Sequence, residues 1–294
     1  MFSANIVMVT IHMMIDCHTH IFPADIRQNR TPFFAFEPDF ELLYKPHKAR
    51  LAGTQDILDH MDAHHIERSV VFGFPWRSAE MFQRHNDYIM AVVARYPNRF
   101  IGLACMDVCH LKAPDEALRC LDGGLRGVGE LAFYQGGMDT ECRDNLHPIM
   151  ALCRERQVPV MIHTNEPVGH EYSGKAPMTL KEIHQLIKRF RQNTIILAHW
   201  GGGIFFYGLL KKEMTADLAN VYFDTAASPY LYQPSVYPTA ANIIGEDKIL
   251  LGTDYPLLPA SRYLEEIKAS GLDQNAISKI VGQNTATLFG VASF

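Results

Sequence analysis

Met14-Ile15-Asp16-Cys17-His18-Thr19-His20 is the stretch from which the fold can be read. It starts apolar and ends polar. In an extended segment successive side chains point to opposite sides, so His18 and His20 share one face. The same pattern, an apolar run that closes on a polar residue, recurs down the chain. Strands are expected at 14–17, 68–74, 100–106, 125–131, 158–163, 194–199, 221–224 and 248–253. Amphipathic helices are expected between them, at 54–65, 78–96, 113–121, 145–157 and from Thr179 onward. Ile89, Val92, Val93 and Tyr96 share one helical face, as do Leu180, Ile183, Ile187 and Phe190. Thr179 with Glu182 three residues later has the capping-box pattern.

Strands alternating with helices imply an α/β fold with a parallel sheet and right-handed crossovers. Eight repeats that close on themselves make a (β/α)8 TIM barrel of about 250 residues. The chain has 294. An open doubly wound sheet would carry a Gly-rich phosphate turn after an early strand. Gly127-Val128-Gly129 lacks the third glycine of such a turn. No Pro-, Gly- or Ser-rich linker divides the chain. The expected organisation is one barrel over 14–294, with a long inserted loop after strand 1 that runs from Ile21 to about Gly53. Residues 1–13 are expected to be an extension or a mis-assigned start, because Met8, Met13 and Met14 could each initiate.

Composition narrows the function. Lys and Arg total 27 against 32 Asp and Glu, a net charge of −5, so no basic surplus exists to neutralise nucleic-acid phosphates. No apolar run approaches the roughly 18 residues of a membrane span. The six cysteines form no C-x-x-C pair and lie in apolar segments, which suits reduced thiols in a cytoplasmic protein. Among soluble oligomers a symmetric homodimer is the commonest assembly.

Fourteen histidines raise the question of a metal, and their positions sharpen it. His18 and His20 close strand one, Glu130 falls near the end of strand four, His163 ends strand five, His199 ends strand six and Asp254 follows strand eight. In a barrel these ends face one mouth, where active sites form. Zinc takes imidazole nitrogens and carboxylate oxygens, and a catalytic site keeps a position for water. Such an ion lowers the pKa of bound water towards about 7. Asp254 could accept the water proton and deliver it to a leaving group, and His199 could donate to a developing oxyanion.

Asp16-x-His18-x-His20 followed by Ile21-Phe22-Pro23, the His163 strand, Ala198-His199-Trp200-Gly201-Gly202-Gly203 and Leu251-Gly252-Thr253-Asp254-Tyr255-Pro256 together resemble the amidohydrolase superfamily. The resemblance is to its amidohydrolase-related branch, which includes the aminocarboxymuconate semialdehyde decarboxylase-like enzymes. It runs from about 15 to 289 and takes in the closing segment Gly282-Gln283-Asn284-Thr285-Ala286-Thr287-Leu288-Phe289. It implies that His18, His20, His163 and Asp254 hold one divalent metal, with zinc expected. His199 would sit beside the bound water or serve as a further ligand. Glu130 raises a second metal, because some superfamily members carry a bridging carboxylate or modified lysine on strand four; otherwise it is a buried carboxylate with a cationic or backbone partner. Asp16 is either a ligand or a hydrogen-bonding residue at the strand end.

The expected reaction is hydrolysis of an amide, lactone or ester bond of a small molecule by metal-activated water. The alternative is non-oxidative decarboxylation of a carboxylated aromatic or unsaturated acid. A catalytically silent binding protein is the third class, and the full ligand set argues against it. Arg77, Tyr134 and Glu166 are the candidates for substrate contact, with Arg27, Arg30 and His170 behind them. His60, His64 and His65 read as surface or packing residues on a helix, and Tyr230, Tyr232 and Tyr237 as lining the mouth or a subunit contact.

Overall fold

The computed structural model describes residues 13–291 apart from 135, 139 and 211. The expected extension or mis-assigned start covers 1–13; residues 1–12 lie outside the described residues, and Met13 is buried.

The strands are β1 (Ile15–His20), β2 (Arg68–Phe72), β3 (Phe100–Gly102), β4 (Val128–Leu131), β5 (Val160–Ile162), β6 (Ile195–Leu197), β7 (Val221–Asp224) and β8 (Ile249–Leu250). All paired neighbours are parallel and follow chain order, β1-β2-β3 and β4-β5-β6-β7-β8. Backbone bonds bridge both gaps. Ala104 N–H donates to Gly127 O at 3.0 Å, and Gly129 N–H to Ala104 O at 2.8 Å, joining β3 to β4. Cys17 N–H donates to Leu251 O at 2.7 Å, and Asp254 N–H to His18 O at 2.9 Å, joining β8 to β1. The ring closes, and the fold is the expected TIM barrel. β2, β3, β5, β6 and β8 end before their apolar runs do because the last residues turn into mouth loops, whereas β4 starts later than expected, β7 matches its run and β1 continues to His20.

Alternation sorts the core into two layers. Val70, Phe72, Met161 and Ile196 pack inside the ring with Cys17, Ile101 and Leu250. Their sequence neighbours Val71, Val160, Ile162, Ile195 and Leu197 face the helices in the larger cluster. The anticipated capping box is made: Glu182 N–H donates to Thr179 Oγ1 at 3.2 Å, and Thr179 N–H to the Glu182 carboxylate at 2.7 Å.

The inserted segment after β1 is not a bare loop. It contains the helices Ala24–Gln28 and Pro38–Tyr44. Phe40 is fully buried there, its ring 4.4 Å from that of Trp76 and 5.4 Å from that of Phe74. Aromatic packing therefore clamps the insertion to the barrel and delivers Leu43 and Tyr44 to the mouth. Cys17, Cys105, Cys109, Cys120 and Cys153 are free thiols, all buried except Cys109. Among the described residues no helix is long and apolar enough to cross a membrane.

Candidate metal centre

Strand ends aim six ligand-type side chains at one point. His18 Nε2 lies 3.6 Å from Glu130 Oε2 and 3.6 Å from Asp254 Oδ1. His20 Nε2 lies 3.6 Å and 3.4 Å from the same two atoms. At the other oxygen of Glu130, Oε1, His163 Nδ1 stands at 2.9 Å and His199 Nε2 at 3.4 Å. His18, His20 and Asp254 offer ligand atoms within 4.8 Å of one another, and so do His18, Glu130 and His199.

The outer nitrogen of every ring faces an acceptor and therefore donates. His18 Nδ1 donates to Asp224 Oδ2 at 2.8 Å, and His20 Nδ1 to Gly73 O at 3.0 Å. His163 Nε2 donates to Gly174 O at 2.8 Å, and His199 Nδ1 to Ala226 O at 3.1 Å. The inner nitrogens turn to the centre, where in the neutral ring each presents a lone pair, the arrangement usual for metal-bound histidines; His163 Nδ1 pairs with Glu130 Oε1 at 2.9 Å. His18 Nε2 is buried and has no hydrogen-bond partner. An unpaired buried nitrogen is costly, and a cation satisfies it. The donor set of imidazole nitrogens and carboxylate oxygens fits a divalent metal ion.

The electrostatics point the same way. Burial pushes the Glu130 carboxyl up, but the facing His18 and His163 outweigh it and hold the group well below the usual carboxylate range. Burial pulls His18 down, and Glu130 and Asp224 outweigh that and carry it well above its ordinary value. His199 is pulled down by burial and carried up to about 8 by Glu130 and Asp254. The pocket favours positive charge at its centre.

The centre forms the floor of a cavity of about 960 Å³. Tyr134 lines it, with its ring 5.2 Å from that of His163. Glu166 and His170 line the wall made by the loop after β5, where Glu166 accepts from the Tyr172 hydroxyl at 2.9 Å and faces Lys175 Nζ at 3.5 Å. Arg77 is elsewhere: it pairs with Asp39 at 3.7 Å, and its backbone N–H donates to Glu37 at 2.9 Å. Arg27 pairs with Asp56 at 3.0 Å, and Arg30 donates to Ala49 O at 2.7 Å. Tyr230 lines the cavity, whereas Tyr237 is buried with its ring 5.4 Å from that of Trp200. His60 is buried and stacks on Tyr255 at 4.1 Å.

Asp16 makes no approach to the centre. It accepts from Thr253 Oγ1 at 2.5 Å, Thr253 N–H at 3.0 Å and His18 N–H at 3.1 Å. Sequence reasoning missed Asp224, although its place as the last residue of β7 matched the pattern used for the others. It also missed Lys48 and Arg50, which line the cavity from the insertion and carry no local pattern.

The amidohydrolase family model matches residues 15–291. The chain is 26% identical over 257 residues to 2-amino-3-carboxymuconate-6-semialdehyde decarboxylase of Dictyostelium discoideum, covering 76% of this chain and 70% of that one. It is 24% identical over 293 residues to gamma-resorcylate decarboxylase of Rhodococcus jostii, covering 82% of this chain and 89% of that one. Among solved structures it resembles a dihydroxybenzoic acid decarboxylase of a Polaromonas species with bound manganese and 2-nitroresorcinol. The TM-score is 0.67 at 19% identity, over 95% of this chain and 97% of that one. These relatives overturn the expectation of hydrolysis and favour its alternative. The physical reason is that one donor set at a barrel mouth serves either reaction. A carboxylate at Glu130 does not select hydrolysis.

Proposed function

The chain belongs to the amidohydrolase family, and from that premise we propose that it is a metal-dependent, non-oxidative decarboxylase of a small carboxylated aromatic or unsaturated acid. The observation that carries this reading is that two relatives, aligned over 76% and 82% of the chain, both bear decarboxylase names. The cavity agrees in character. Tyr44, Phe74 and Tyr134 give it aromatic walls, and Lys48 and Arg50 stand exposed at its opening as partners for a carboxylate.

His18, His20 and Asp254 hold one divalent ion in this reading, with His163 and His199 beside it. The nitrogen-rich donor set favours zinc, and manganese suits it as well; elemental analysis of the native protein separates the two. When bound, the ion polarises a substrate oxygen. Burial pushes Asp254 up, but its hydrogen bond from His20 and the His18 and His199 charges hold it below the usual carboxylate range. It is therefore ionised, and takes up a proton from the substrate's own acidic group or from solvent, which it returns to the substrate carbon. That carbon receives the electron pair of the breaking C–C bond, and CO2 leaves. His199, buried beside Glu130 and Asp254, faces the reacting centre and stabilises the negative charge that builds before protonation.

CO2 release is the test, measured on dihydroxybenzoates, carboxyvanillate and muconate-type acids beside a lactone and amide panel. At least one acid should release CO2, and Asp254→Asn should lower that rate by about 10²-fold or more. Turnover of a lactone or amide with no CO2 from any acid would overturn the reading.

A further inference from the structure

Asp254 and His20 are two of the proposed ligands, and one residue is tied to the backbone of both. Tyr255 follows Asp254 in the chain, and its carbonyl oxygen accepts the His20 N–H at 2.9 Å. Its own N–H donates to Thr253 Oγ1 at 3.2 Å. A displacement of Tyr255 therefore reaches both ligands through the main chain. Asp254 has φ 56°, a left-handed conformation that persists only where surrounding structure imposes it. The turn does not hold itself, so the anchor of the Tyr255 side chain controls where the Asp254 carboxylate stands.

That anchor is the helix Thr54–His64. The Tyr255 ring lies against the His60 ring, with centroids 4.1 Å apart and planes 21° from parallel. His64, one turn further on, stands edge-on to His60 at 4.5 Å and 61°. The Tyr255 hydroxyl donates to Asp56 O at 3.2 Å. Positions 56, 60 and 64 are four apart, so one stripe of the helix makes the whole anchor. His60 is 8% exposed, and its Nε2 has no hydrogen-bond partner. What His60 gives Tyr255 is thus the flat face of a ring, not a hydrogen bond. Burial, with His64 beside it, lowers His60 to about 4, so the ring is uncharged near neutral pH. Neither His60 nor Tyr255 is among the residues that line the cavity.

We propose that His60 is a positioning residue: through its stack on Tyr255 it holds Asp254 and His20 in the geometry that binds the ion. The inference rests on the proposed single-ion site and adds to it a support that lies outside the cavity.

The test uses the full chain, stripped with a chelator and titrated with Mn2+ alone. His60→Ala and Tyr255→Leu should each weaken Mn2+ binding about 10-fold or more, the range for residues that orient metal ligands from outside. His60→Phe keeps a flat ring and should bind as the wild type does. The two losses should not add in the double variant, because both break one contact. At saturating Mn2+, on an acid that releases CO2, His60→Ala should lower kcat with KM unchanged. Gly271→Ala, a destabilised variant remote from this contact, should keep wild-type affinity. Circular dichroism establishes that each variant is folded, and Tyr255→Leu carries the test if His60→Ala is not. Wild-type affinity in His60→Ala and Tyr255→Leu overturns the inference and leaves the ion site standing. So does a His60→Phe variant as weak as His60→Ala, or a Gly271→Ala variant that weakens equally. A wild type that binds no Mn2+ overturns the ion site as well.

Discussion

Asp224 and His85 show how far single residues control the site without facing it. Asp224 is fully buried, accepts a hydrogen bond from His18 Nδ1–H at 2.8 Å, and accepts the His199 backbone N–H at 2.8 Å. One carboxylate thus fixes the tautomer of one inner histidine and the backbone position of another. His85 is fixed from both sides: its Nδ1 accepts from Trp76 Nε1 at 2.8 Å, and its Nε2 donates to Ile21 O at 2.7 Å. It is 1% exposed, and burial lowers it to about 4. Between that value and the unfolded value near 6.5 the unfolded chain binds more protons. His85 therefore contributes its stability above pH 6.5 and loses it as pH falls towards 4, a loss of about 3 kcal/mol. Denaturant midpoints of wild type and His85→Gln across that window check this. The wild type should lose stability more steeply, and equal slopes would refute the assignment.

The element that follows β6 carries the most strained backbone at the mouth. His199, Trp200, Gly201, Gly202 and Gly203 all have φ between 55° and 88°. Asp254, after β8, has φ 56°. Left-handed backbone at non-glycine residues costs about 1–3 kcal/mol each and persists where surrounding structure imposes it. At Gly202 the reason is visible, since an added Cβ would stand 2.3 Å from the backbone carbonyl oxygen of Asn165 in the loop after β5. Gly202→Ala should destabilise by clearly more than the roughly 1–2 kcal/mol of the left-handed conformation alone. Gly271→Ala, at φ 81° in open space, should show only that smaller cost. Urea midpoints compare the two, and an equal loss would mean that the Asn165 contact yields freely. The sequence marked this element through its glycine run, but not which glycine meets the neighbouring loop.

At the scale of the whole molecule the barrel depends on joining its first strand to the segment that leaves its last, 237 residues apart at Asp16 and Thr253. Asp16 accepts both the hydroxyl and the backbone N–H of Thr253 where β1 meets the segment after β8. Asp16→Ala leaves those buried donors and the His18 N–H unpaired and should cost about 2–4 kcal/mol. Its effect should not add to that of Thr253→Val in a double-mutant cycle on unfolding; additive losses would show that the two do not couple.

The sequence by itself determined the barrel and the first four histidines of its mouth. Alternating apolar runs can bury both faces only in a parallel sheet covered by helices, and strand ends place their polar residues at one rim. The tertiary structure decided what periodicity does not encode. It sent Arg77 to Asp39, brought Lys48 and Arg50 to the cavity, and made Asp16 a clamp between strands. It also split four histidines between the two oxygens of Glu130. Contacts between distant segments depend on how the ring closes and how the insertion packs on it, and no local pattern of residues records either.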